Sequence, residues 1–84
     1  MSSEAALSLV QLPPGDKARV LQVPPGPLQV RLASLGLVVG ATIELLQSTP
    51  AVLVRVGATS LALERELGAL ILIQSQRDET RQGD

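Results

Sequence analysis

A chain of 84 residues with no cysteine and no histidine is one domain, and neither disulfides nor ordinary zinc, haem or iron–sulfur ligation can stabilise it. Hydrophobic residues make up 45% of the chain and none is aromatic, so its core must be aliphatic. The net charge of −1 argues against a nucleic-acid partner, which needs a basic face to neutralise phosphates.

Residues 1–4 read as a flexible N-terminus. Glu4 and the lack of a basic leading region argue against a signal peptide, and no apolar run approaches the roughly 18 residues of a membrane span. A cytoplasmic module without membrane insertion is therefore expected. Leu7, Val10 and Leu12 place residues 5–12 against the domain edge without a strong period. Pro13-Pro14-Gly15-Asp16 is a turn, since proline presets φ, glycine allows a positive one and aspartate bonds nearby backbone. Residues 17–23, KARVLQV, form a first strand with Ala18, Val20 and Gln22 alternating against Arg19, Leu21 and Val23. Pro24-Pro25-Gly26 ends it.

The stretch GPLQVRLASLGLVVGATI, residues 26–43, organises the rest of the chain. Pro27 suits the first helical position, where a missing N–H costs nothing. Leu28, Leu32 and Leu35 follow at i, i+4 and i+7, one apolar stripe that with Leu37 should anchor a short helix. Gly36 stands where a left-handed residue would end that helix, and Leu37 beside it can fold back on Leu32. Gly40 then turns the chain into a second strand, residues 41–47, with Ile43 and Leu45 on one face and Thr42 and Glu44 on the other.

Ser48-Thr49-Pro50 is a turn, and VLVRV at 52–56 is the clearest period-2 pattern, valines inward. Gly57-Ala58 closes a tight hairpin into residues 59–63. Residues 64–68 read as one helical or 3₁₀ turn. Residues 69–73 form a last strand that is apolar on both faces. One pair, Leu70 with Leu72 or Ile71 with Ile73, should fill the core, and the other then needs a cover. The N-terminal segment folding over the sheet is favoured for that role over the same strand of a second copy. Residues 74–84 are polar and charged and read as a flexible tail. The expected architecture is all-β with one short inserted helix: a small SH3-like partial barrel of about five strands, spanning residues 5–73.

The run Arg31-Leu32-Ala33-Ser34-Leu35-Gly36-Leu37-Val38-Val39-Gly40 resembles the RLxxLGLxxG signature of FeoA domains, small cytosolic bacterial proteins of ferrous iron uptake. The opening turn at Leu12-Pro13-Pro14-Gly15, the first strand and the later strands resemble the same family. One departure is Val39, where the family often has proline. The resemblance implies the SH3-like fold already reached from the residues. It also implies a partner: the cytosolic part of a FeoB-type membrane GTPase and ferrous iron permease.

Catalysis finds few parts here. Glu64 and Glu66 on a charged turn beside Arg65 read as a solvated corner, and Ser34 and Ser60 lack a histidine to activate them. The chain is therefore expected to be a non-enzyme, with no cofactor. Fe(II) sites favour imidazole or thiolate beside carboxylates, so no metal ligands are assigned. Proline-rich peptide and single-stranded nucleic-acid recognition both need aromatic platforms that are missing.

What remains is protein contact through aliphatic surface. Val30 and Ala33 fall on the helix face away from the stripe, where polar residues are expected. The outer helix face and adjoining loop, Val30, Arg31, Ala33, Ser34 and Val38, are the candidate partner-binding residues. Leu28, Leu32, Leu35, Gly36, Leu37 and Gly40 form the structural motif behind them. Arg31 by itself reads first as half of a surface ion pair. Two other readings stand beside the GTPase: an SH3-like domain of a DtxR-type iron-dependent repressor, and a self-associating adaptor, with a homodimer possible.

Overall fold

The computed structural model describes residues 6–76. The expected lead at residues 1–4 and residues 77–84 of the expected tail lie outside the described residues. Among the described residues six strands form one antiparallel sheet in the order β1-β6-β2-β3-β4-β5, with β1 (Leu7–Ser8), β2 (Lys17–Gln22), β3 (Thr42–Gln47), β4 (Val52–Val56), β5 (Thr59–Leu63) and β6 (Leu72–Ser75). Its two ends, β1 and β5, do not pair with each other, so the sheet is open. Helix α1 (Pro27–Ser34) is inserted between β2 and β3, and a single turn, α2 (Arg65–Gly68), between β5 and β6.

The valines and isoleucines fall where period 2 puts them. Val52 and Val54 are fully buried, Val56 nearly so, and Ile43 and Leu45 face them from β3, with Arg55 outward. Gly57 has φ +61° and Ala58 a negative φ, the sign pattern of a II′ turn, which suits the twist of the hairpin. Glu44 and Arg55 stand directly opposite each other across β3 and β4 and form an ion pair at 2.6 Å.

Strand β2 departs from simple alternation. Ala18 and Val20 are buried, but a bulge between Val20 and Gln22 shifts the register against β6. Leu21 and Gln22 are therefore both exposed, and Val23 returns to the core. Gln22 and Val23 thus lie opposite to the faces that strict alternation assigns.

The end of the domain also differs from expectation. Ala69 and Leu70 belong to the turn after α2, and β6 runs to Ser75, pairing Gln74 with Arg19 and Ser75 with Ala18. The domain therefore reaches past residue 73, and Gln74 is not the start of a free tail. Of the four apolar residues, Ile71 and Ile73 are fully buried, Leu72 is half-buried and Leu70 exposed. The N-terminal segment does not cover the outward pair, since Leu70 stays exposed and Leu72 half-buried. It extends the sheet instead: β1 pairs edge-on with β6 and Leu9 N–H donates to the Ile71 carbonyl at 3.1 Å. A 3₁₀ turn, Leu9–Gln11, then swings Leu9 and Leu12 into the core.

Candidate functional site

Helix α1 is held by its ends more than by its length. Gly26 at the N-cap has φ +116°, a conformation open mainly to glycine, and Pro27 follows at the first helical position. At the other end Gly36 takes φ +98°, its N–H donates to the Ala33 carbonyl at 3.0 Å and the Leu37 N–H donates to the Leu32 carbonyl at 2.9 Å. These two bonds make a Schellman motif, and its apolar contact is supplied by Leu32 and Leu37, both buried in the core. Leu28 is half-buried against the same cluster.

Leu35 breaks the expected stripe. It is the C-cap, already outside helical geometry at φ −101° and ψ 2°, and 43% of it is exposed. Helical spacing no longer sets its direction there. Leu35 therefore does not anchor the helix as the i, i+4, i+7 pattern suggested.

With so narrow a buried stripe, two grooves flank α1. The first has a volume of about 350 Å³ and is lined by Val23, Gln29, Val30, Ala33, Leu37, Val38 and Val39. Val30 is 69% exposed and Val39 60%. Gln29 supplies the one polar side chain of this lining, and its Nε2 donates to the Val23 carbonyl at 3.5 Å, tying helix to strand end. The second groove, about 210 Å³, lies on the other side of α1 and is lined by Leu28, Arg31, Leu32, Leu35, residues 61–63 of β5, Glu64 and Leu67.

The five candidate residues are thus all exposed but do not share one surface. Val30, Ala33 and Val38 gather at the first groove, whereas Arg31 lines the second. Ser34 lines neither and spends its hydroxyl on the Arg31 carbonyl at 2.8 Å. Among the described residues Arg31 makes no ion pair, contrary to its expected role. The sequence reading missed Val39, Gln29 and Val23. Val39 was within reach, because the residue before Gly40 falls inside a turn, closed here by the Ala41 N–H donating to the Val38 carbonyl at 3.0 Å, and turn residues lie on the surface.

The described carboxylates do not converge: among the described residues no three of His, Cys, Asp and Glu come together to hold a metal ion. Arg65 instead donates to the Ser48 carbonyl, fastening the α2 turn to the β3–β4 connection. Among the described residues no helix is long and apolar enough to cross a membrane.

Comparison with known proteins agrees with this architecture. Residues 7–75 match the FeoA domain. A crystal structure of an iron uptake regulatory protein (FeoA) is similar at 29% identity and TM-score 0.73, over 84% of this chain and 97% of that one. The solution structure of the FeoA protein from Chlorobium tepidum is similar at 30% identity and TM-score 0.75, over 82% of this chain and 70% of that one. IdeR from T. acidophilum shares the fold at 19% identity and TM-score 0.75, over 89% of this chain and 36% of that one. No curated protein sequence matches. The mostly-β, SH3-like architecture and the match over residues 7–75 place the chain: it belongs to the FeoA domain family.

Proposed function

We propose that this protein serves ferrous iron uptake as a non-catalytic accessory, binding and modulating the cytosolic part of a FeoB-type membrane GTPase. Family membership supports the link to iron transport. The observation that carries the docking surface is the first groove: four aliphatic side chains, Val30, Ala33, Val38 and Val39, stand exposed around one concavity whose described lining has a single polar side chain, Gln29. Scattered surface aliphatics are ordinary, but a contiguous apolar concavity is where a partner's anchor residues gain most on desolvation. Its lack of charge also suits contact by packing over steering.

A second reading, the SH3-like part of a DtxR-type repressor, draws on the likeness to IdeR. At 19% identity that likeness carries the fold alone. It ranks below the first reading, because the similar structures near 30% identity, matched over 84% and 82% of this chain, are FeoA proteins.

Titration calorimetry of the full chain with the GTPase's purified cytosolic domain tests the proposal. Val30→Glu and Val39→Glu are expected to stay folded and to weaken binding at least ~10-fold, the scale of a lost apolar anchor of about 1.4 kcal/mol or more. Unchanged affinity in both folded variants would move the docking surface off this groove.

A further inference from the structure

The two edges of the sheet are unequal. The β1 edge is two residues long and passes at once into a 3₁₀ turn and Pro13-Pro14. The β5 edge is five residues, TSLAL, with no charge, no proline and no bulge in its pairing with β4. Exposed edges are ordinarily blunted by those very devices, because a row of unpaired backbone groups templates another strand.

The register shows which groups are offered. Val56 and Thr59 close a two-residue turn and so form a hydrogen-bonded pair. Pairs alternate along an antiparallel ladder, so Thr59, Leu61 and Leu63 bond toward β4 while Ser60 and Ala62 aim N–H and C=O away from it. Among the described residues no further backbone hydrogen bond involves Ser60 or Ala62. Beside this edge runs the second groove, with half-exposed Leu35, half-buried Leu61 and Leu67, and one charge of each sign, Arg31 and Glu64. Neither charge is in an ion pair among the described residues.

We propose that the β5 edge pairs antiparallel with β5 of a second copy of this chain about a two-fold axis at Leu61. With Leu61 opposite Leu61 of the second copy, Ser60 meets Ala62 of that copy and Ala62 meets its Ser60. Both outward-facing residues of each strand then form hydrogen-bonded pairs, and the register requires no bulge. A one-residue slip would set outward groups against inward ones, so the pairing is specified. The Leu61 side chains meet at a non-hydrogen-bonded pair, where cross-strand side chains approach most closely. A face carrying one cation and one anion is complementary to itself under a two-fold, letting Arg31 of one copy meet Glu64 of the other. This pairing leaves the first groove, on the opposite flank of α1, available to another partner.

Sedimentation of the full chain over roughly 10 μM to 1 mM tests the pairing, a range suited to a small interface. A concentration-dependent dimer is expected, together with slowed hydrogen exchange at the Ser60 and Ala62 amides as concentration rises. Ala62→Pro removes only an outward N–H, a substitution edge strands accept, and should weaken the dimer ~10-fold or more. Ala62→Lys blunts the same edge without touching backbone geometry and should act alike if the proline variant misfolds. Arg31→Glu should weaken association and Arg31→Glu with Glu64→Arg restore it. A monomer throughout the range, or a dimer indifferent to every edge variant, overturns the proposal.

Discussion

Leu32 and Leu35 are chemically identical and three residues apart, yet their surroundings assign them opposite consequences. Leu32 is 2% exposed, so Leu32→Ala should cost about 2–5 kcal/mol, a large share of what so small a domain possesses. Leu35→Ala removes a side chain that keeps much of its water contact and should cost about 1 kcal/mol or less. Thermal melts of the two variants check the contrast, and equal losses would mean that Leu35 is covered in solution. The sequence made the glycine stop at Gly36 legible, because cap, stripe and apolar return all agreed. It could not show that Leu35 leaves the helix one residue early, since a wheel assumes helical geometry to its end. Gly68 was illegible for a different reason: its φ is ordinary, and what demands glycine is a neighbour distant in sequence. A Cβ there would stand 3.0 Å from Val52 Cγ2, with Val10 Cγ1 at 3.5 Å. Gly68→Ala should therefore destabilise by about 1–3 kcal/mol by crowding, although alanine is the better helix former. A rise in melting temperature would show that Val52 yields freely.

At the scale of elements, local pattern located the hairpin and the central helix and misplaced what depends on pairing. The bulge in β2 reverses the facing of Gln22 and Val23, and no period-2 count contains the register of the partner strand that produces it. The last strand begins later than its apolar run because Ala69 and Leu70 close the α2 turn: Ala69 N–H donates to the Arg65 carbonyl and Leu70 N–H to the Leu67 carbonyl. The N-terminal segment does lie at the domain edge, but it was expected as a cover over the last strand and is instead a sixth strand, a role that depends on edge hydrogen bonds that side chains do not announce. That role changes what truncation should do. Removing residues 1–10 deletes β1 and fully buried Leu9, exposing both the β6 edge and the core beneath. Loss of cooperative unfolding by circular dichroism is the expected outcome. A truncated chain that melts within a few degrees of the parent would mean the segment only lies on the surface.

For the whole molecule, the consequence of a helix seated on few buried side chains is that both its flanks stay open. One flank presents uncharged aliphatic surface at Val30, Val38 and Val39; the other presents a backbone edge with Arg31 and Glu64 beside it. The candidate residues read from the sequence were exposed, as supposed, but a helix face and a binding face are different things, and the division between two grooves came from β5 and the loop after α1. The two surfaces make separable demands: apolar packing on one, strand pairing on the other. The docking claim is tested most directly by titrating the isotope-labelled chain with the GTPase's cytosolic domain and mapping amide shift changes residue by residue. Binding at the first groove predicts changes concentrated at Val23, Gln29, Val30, Ala33, Val38 and Val39, with β5 unaffected, whereas changes confined to residues 59–67 or to β1 and β6 would contradict it.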